Sequence, residues 1–105
     1  MCIRDSSKAS PNVNILPALK PLPNFELRPN SHVLRVNLDR TKSKATGVTY
    51  IDGQGREIEQ PADLVILGAF QFHNVRLMLL SGIGKPYDPI SGEGVVGKNL
   101  SLIHI

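Results

Sequence analysis

From His32 to Asp39 the chain alternates, with Leu34, Val36 and Leu38 on one side of an extended strand and Val33, Arg35, Asn37 and Asp39 on the other. The first set is expected to face a core. Thr41 to Lys44 is a polar turn, and Ala45 to Ile51 is a second alternating, β-branched run. Asp52-Gly53-Gln54-Gly55 has the chemistry of a hairpin turn. Arg56 to Gln60 returns as its partner strand, so the three runs predict an antiparallel meander. A shorter β-type run, Phe25 to Arg28, precedes it. Pro61 is expected to interrupt the meander. Beyond it, Asp63 to Gly68 reads Asp-Leu-Val-Ile-Leu-Gly, a continuous apolar strand of the kind buried on both faces of a parallel sheet. Leu77, Leu80, Val75 and Leu79 give Asn74 to Leu80 a wide apolar face, which predicts a short helix capped by Asn74 or His73 and ended at Gly82. Ser7 to Asn24 carries Pro11, Pro17, Pro21 and Pro23 and reads as an extended connection. Lys85 to Asn99, rich in Gly and Pro, reads as a long loop.

The two ends follow a different logic. Met1 to Ser6 can be encoded as ATG TGT ATA AGA GAC AG plus one base, and the reverse complement of that string translates as Leu-Ser-Leu-Ile-His, with Ile next for most choices of the last base. That is Leu100 to Ile105. An inverted repeat framing a coding stretch resembles transposon-end sequencing adapters, so residues 1–6 and 100–105 are expected to be adapter-derived. The segment from Ser7 to Asn99 is then expected to be an internal piece of a longer protein.

Setting the ends aside changes what composition allows. The single cysteine, Cys2, and one of the three histidines, His104, lie in them. No disulfide or cysteine nucleophile is then expected in the rest. The net charge is +3, but Lys and Arg are interspersed with Asp and Glu, and only 5% of residues are aromatic, so nothing suggests nucleic-acid binding. The longest apolar run, Leu64 to Phe70, is far short of the roughly 20 residues a membrane-spanning helix needs.

Two motifs point the wrong way. Gly92-Glu93-Gly94-Val95-Val96-Gly97 fits Gly-x-Gly-x-x-Gly, yet it follows a loop containing Pro86 and Pro89 where a dinucleotide fingerprint needs a strand. Gly84-Lys85 is followed by Pro86 where a phosphate loop needs Ser or Thr. His32 and His73 lack clustered partners for a metal.

One ordered block carries more information: Ala45-Thr46-Gly47-Val48-Thr49-Tyr50, Asp63-Leu64-Val65-Ile66-Leu67-Gly68-Ala69, Leu77-Met78-Leu79-Leu80-Ser81-Gly82-Ile83-Gly84, and Gly94-Val95-Val96-Gly97-Lys98-Asn99. Its order resembles the glucose-methanol-choline oxidoreductases, and the Ser-Gly-Ile-Gly element is the most specific part. Phe70 stands where that family has Gly, and Asn74-Val75 where it has Ser-Pro. With Gly82 to Pro89, these departures are similar to the bacterial branch of sugar-acid dehydrogenases acting on gluconate.

The resemblance implies an α/β fold: residues 25–99 as part of a FAD-binding, Rossmann-like domain, with the three-stranded antiparallel β-meander, one buried parallel strand and a short helix. It implies FAD as cofactor, held in part by the backbone of Val33 at the adenine and by the loop Gly68, Ala69 and Phe70 near the pyrophosphate or ribityl chain. It also implies an alcohol, sugar or sugar-acid substrate oxidised at CH–OH with hydride transfer to flavin, a cytochrome c subunit as partner, and a periplasmic or membrane-associated location. The catalytic residues and the Gly-rich FAD fingerprint are expected outside this segment, leaving it inactive alone and its buried strand without sheet neighbours. A small β-rich binding module and a nicotinamide-dependent dehydrogenase are the competing readings. The latter needs a fingerprint directly after a strand, which this segment lacks.

Overall fold

The computed structural model describes residues 9–99, so both end hexapeptides lie outside the described residues. Two single-turn helices, α1 (Pro11–Asn14) and α2 (Leu16–Leu19), precede three strands, β1 (His32–Leu38), β2 (Ala45–Ile51) and β3 (Glu57–Pro61), and a longer helix, α3 (Gln71–Ser81). The strands form one antiparallel sheet in the order β1-β2-β3, the meander that the alternating runs predict. Pro61 ends β3 instead of interrupting the sheet. An edge strand tolerates a proline because its outer side has no ladder to complete.

Two bulges modify the simple alternation. In β1, Val33 pairs with Tyr50 and Arg35 with Thr49, leaving Leu34 as an extra residue; in β2, Asn37 pairs with Gly47 and Leu38 with Ala45, leaving Thr46 extra. Directly paired residues share a face, so Val33 lies on the same face as Tyr50, Val48 and Val36. Unbroken alternation would have put it with Arg35 and Asn37. A bulge re-aims a side chain in this way, and here it redirects Val33.

The core is shallow. Val36, Tyr50, Leu77 and Val96 are buried, as is Thr49, whose hydroxyl donates to Asn37 Oδ1 at 2.9 Å. Helix α3 packs against β1. The main-chain N–H of Val36, in β1, donates to Ser81 Oγ in the last turn of α3 at 2.8 Å. The helix therefore covers a strand that would otherwise present open donors and acceptors. Gly82 ends α3 in the left-handed conformation, φ +71, with Ile83 N–H reaching Met78 O at 2.9 Å and Gly82 N–H reaching Leu79 O. That closure is the one expected of the glycine after Ser81.

Several expectations need correction. Asp63 to Gly68 forms no strand among the described residues, and Leu64 and Ile66 are 76% and 82% exposed. A strand buried on both faces needs a neighbour on each side, and the meander offers it none. The exposure matches what was expected of this segment by itself. Residues 7–24 are not wholly extended, because α1 and α2 lie within them with prolines in their first turns, where the missing N–H would be unpaired in any case. Phe25 to Arg28 forms no strand among the described residues. Arg28 instead reaches over the sheet, its Nη1 donating to Tyr50 Oη at 3.0 Å and Gln60 Oε1 at 2.6 Å. Glu26 pairs with its Nε at 2.6 Å. Lastly, α3 begins three residues before Asn74.

The β2–β3 turn depends on a carboxylate. Asp52 Oδ1 accepts the N–H groups of Gln54 at 3.0 Å and Arg56 at 2.9 Å, while Oδ2 accepts Arg56 Nε at 2.9 Å. These bonds, the Arg56 main-chain N–H foremost, hold the carboxyl below its ordinary value of 3.8. The stabilisation is complete above 3.8 and is lost as pH falls through the lower folded-state value. Urea unfolding followed by circular dichroism should show a falling midpoint across that acid window. Asp52→Asn should have a lower midpoint at neutral pH and a smaller acid fall.

Candidate functional site

Two cavities meet at Ser31 and Val33. The first, about 430 Å³, lies on the sheet face beneath Arg28 and is lined by Glu26, Arg28, Ser31, Val33, Val48, Tyr50 and Gln60. Its charged groups are largely committed to one another. The Arg28 guanidinium lies 5.9 Å from the centre of the Tyr50 ring, and its bonds to Glu26 and Tyr50 raise its pKa and lower that of Glu26.

The second cavity, about 310 Å³, opens between the start of β1 and the first turns of α3. Ser31, His32, Val33, Ala69, His73, Arg76 and Leu77 line it. Val33 and Leu77 supply apolar walls, while His32, His73 and Arg76 supply nitrogen donors, and among the described residues no carboxylate joins them. Such a lining suits a ligand that couples a flat apolar part to a polar or anionic one. Among the described residues no cluster of His, Cys, Asp or Glu could hold a metal ion.

The four residues singled out in the sequence are placed unequally. Val33 and Ala69 face the second cavity together, one from the bulged strand and one from the loop before α3. Gly68 is exposed, and a side chain added there would meet open space. The ring of Phe70 packs edge-on against Phe72, with centroids 5.7 Å apart, and does not line the cavity. Its backbone, however, sits at φ +76, ψ 158. That region is essentially reserved for glycine and costs a side-chain-bearing residue on the order of 1–3 kcal/mol.

Asn74 plays a part the sequence did not show. It lies inside α3, where its Oδ1 accepts the Ala69 N–H at 2.8 Å and its Nδ2 donates to Leu67 O at 3.3 Å. Among the described residues no side-chain cap bonds the start of α3. The available signal was the residue type, since asparagine within a helix tends to bond nearby main chain. His73 and Arg76 were also missed as cavity residues. One turn apart on α3, they flank the same opening.

A family model described as GMC oxidoreductase matches residues 1–105. The chain is 73% identical to the gluconate 2-dehydrogenase flavoprotein of Pantoea cypripedii over 99 residues, which is 94% of this chain and 16% of that protein's length. The chain therefore spans far less than the whole of the relative it matches.

Proposed function

Because the chain belongs to the GMC oxidoreductase family, we propose that residues 25–99 form part of the flavin-binding domain of a larger FAD-dependent dehydrogenase that oxidises a CH–OH group of a sugar, polyol or sugar acid. The observation that carries this reading is the meeting of Val33 and Ala69 in one cavity. They were singled out on separate stretches of sequence, and a cofactor-binding role requires them to converge. The apolar walls and the nitrogen donors of His73 and Arg76 fit a stretch of FAD, with Val33 at the adenine and Ala69 toward the pyrophosphate or ribityl chain. Phe70 is assigned to the same loop through its backbone, and Gly68 leaves that loop open to close approach.

When bound, the flavin supplies the hydride acceptor, while the protein supplies orientation and electrostatics. This segment's contribution is to binding. A gluconate-type substrate is favoured by the identity to a gluconate 2-dehydrogenase flavoprotein. A cytochrome c partner and a periplasmic or membrane-associated setting rest on the family resemblance alone. A free-standing β-rich binding module is disfavoured, because the similarity runs through the loop and α3 as well as the meander.

Two arms test the reading. Gluconate or a simple polyol added to the flavoprotein carrying this segment should bleach the flavin's visible absorption. The 105-residue chain, purified and mixed with FAD, should neither quench flavin fluorescence stoichiometrically nor reduce a dye. A full-length protein without flavin would overturn the cofactor assignment, and dye reduction by the chain alone would show that it holds a complete active site.

A further inference from the structure

The backbone on the α3 side of the second cavity is held in a shape that its own sequence disfavours. Phe70, at φ +76 and ψ 158, occupies a region that a β-carbon resists, and such conformations persist only when the surroundings impose them. Burial does not impose it, since Phe70 is 57% exposed and its aromatic neighbour Phe72 is 53% exposed. The constraint comes from the far side of the loop. The Asn74 carboxamide takes the N–H of Ala69 at 2.8 Å and gives to the carbonyl of Leu67 at 3.3 Å, bridging Gly68. The main-chain N–H of Asn74 also reaches Phe70 O at 2.8 Å. An asparagine carries an acceptor and a donor on one rigid plane, and the loop presents the matching donor and acceptor two residues apart.

We propose that Asn74 is a positioning residue whose side chain clamps Leu67 and Ala69, holding Phe70 in its strained conformation so that Ala69 faces Val33 across the cofactor cavity. The clamp rests on the reading of this cavity as a FAD subsite. It requires both functions of the amide. Aspartate offers only acceptors and would keep the Ala69 bond while losing the Leu67 one; alanine would lose both. Released, the loop would relax toward a backbone that phenylalanine prefers, and Ala69 would leave the cavity wall. A glycine at position 70 removes the strain and makes the clamp less necessary.

The test uses the flavoprotein that carries this segment, stripped of flavin and reconstituted with FAD. Asn74→Ala should raise the FAD Kd about tenfold, the size expected of one or two lost hydrogen bonds, and should alter the flavin's visible circular dichroism. Asn74→Asp should fall between it and the wild type. Should the alanine variant fail to fold, the aspartate variant alone gives the reading. Adding Phe70→Gly to either variant should restore most of the affinity, a rescue that a merely structural role for Asn74 would not produce. Wild-type affinity in Asn74→Ala, or a double variant no tighter than the single one, would overturn the proposal. If the wild-type protein binds no FAD, the subsite reading falls instead. The clamp is then judged by amide exchange at Ala69, which should quicken in Asn74→Ala and refutes the clamp if it does not.

Discussion

Gly47→Ala is expected to lower stability by about 3 kcal/mol or more, at the upper end of what overpacking causes, because the sheet leaves no room for a β-carbon there. A β-carbon on Gly47 would lie 2.2 Å from the main-chain oxygen of Gln60 and 2.9 Å from Cα of Pro61. Both are backbone atoms of β3, so no rotamer change relieves the overlap and the two strands must part. Gly47 is also the residue beside the Thr46 bulge, where the ladder is already irregular. Chemical unfolding followed by circular dichroism should show the loss, with amide exchange quickening first in Val48 to Ile51 and in β3. A variant as stable as the wild type would mean that β2 and β3 are less tightly paired than the structure has them.

Gly94→Ala should cost about 2–3 kcal/mol for two reasons that act together. The residue has φ +83, and a β-carbon on it would come within 2.0 Å of the Pro86 oxygen. Around it the loop doubles back on itself. Val96 N–H reaches Lys85 O at 3.1 Å, Tyr87 N–H reaches Val96 O at 3.0 Å, and Asp88 N–H reaches Glu93 O at 2.9 Å. This double lane buries Val96 and brings Gly97 to within 3.6 Å of Val75 on α3, measured to an added β-carbon. Forcing the lanes apart should loosen the loop from the helix. Proteolysis between Lys85 and Lys98 should accelerate in the variant while the meander stays intact, and unchanged cleavage would count against the double lane. Gly94 thus owes its identity to local packing, and the dinucleotide-like spacing around it follows from a turn.

The meander was legible because alternation and turn chemistry are local signals, and β2 emerged with the bounds its residues predict. The bulge at Leu34 was not legible. Which of Val33 and Leu34 pairs with Tyr50 depends on the whole ladder, and the face that Val33 occupies depends on that choice. Asp63 to Gly68 was legible as a strand sequence but could not become one without partners. At the candidate site, Val33 and Ala69 were named through the family resemblance, whereas the positive-φ backbone of Phe70 and the bonds of Asn74 to Leu67 and Ala69 exist only in three dimensions. Asn74 or His73 was expected to cap the start of the helix, and neither holds the cap position. The helix simply begins earlier, which turns the Asn74 side chain from the helix end to the preceding loop.

The uneven protection of strand-forming segments sets how the isolated chain self-associates. Helix α3 covers part of β1, while β3 carries exposed Glu57 and Glu59 and ends in a proline, so the sheet offers a poor template on either side. Leu64 to Leu67 has no such guard: it is apolar, rich in residues that favour strands, free of proline, and without a strand partner among the described residues. Those are the properties of a segment that stacks on copies of itself. Fibrils or amorphous aggregates of the chain would grow from this stretch, leaving the meander folded on their flanks, and one charge placed at Ile66 would keep the chain in solution without disturbing the sheet.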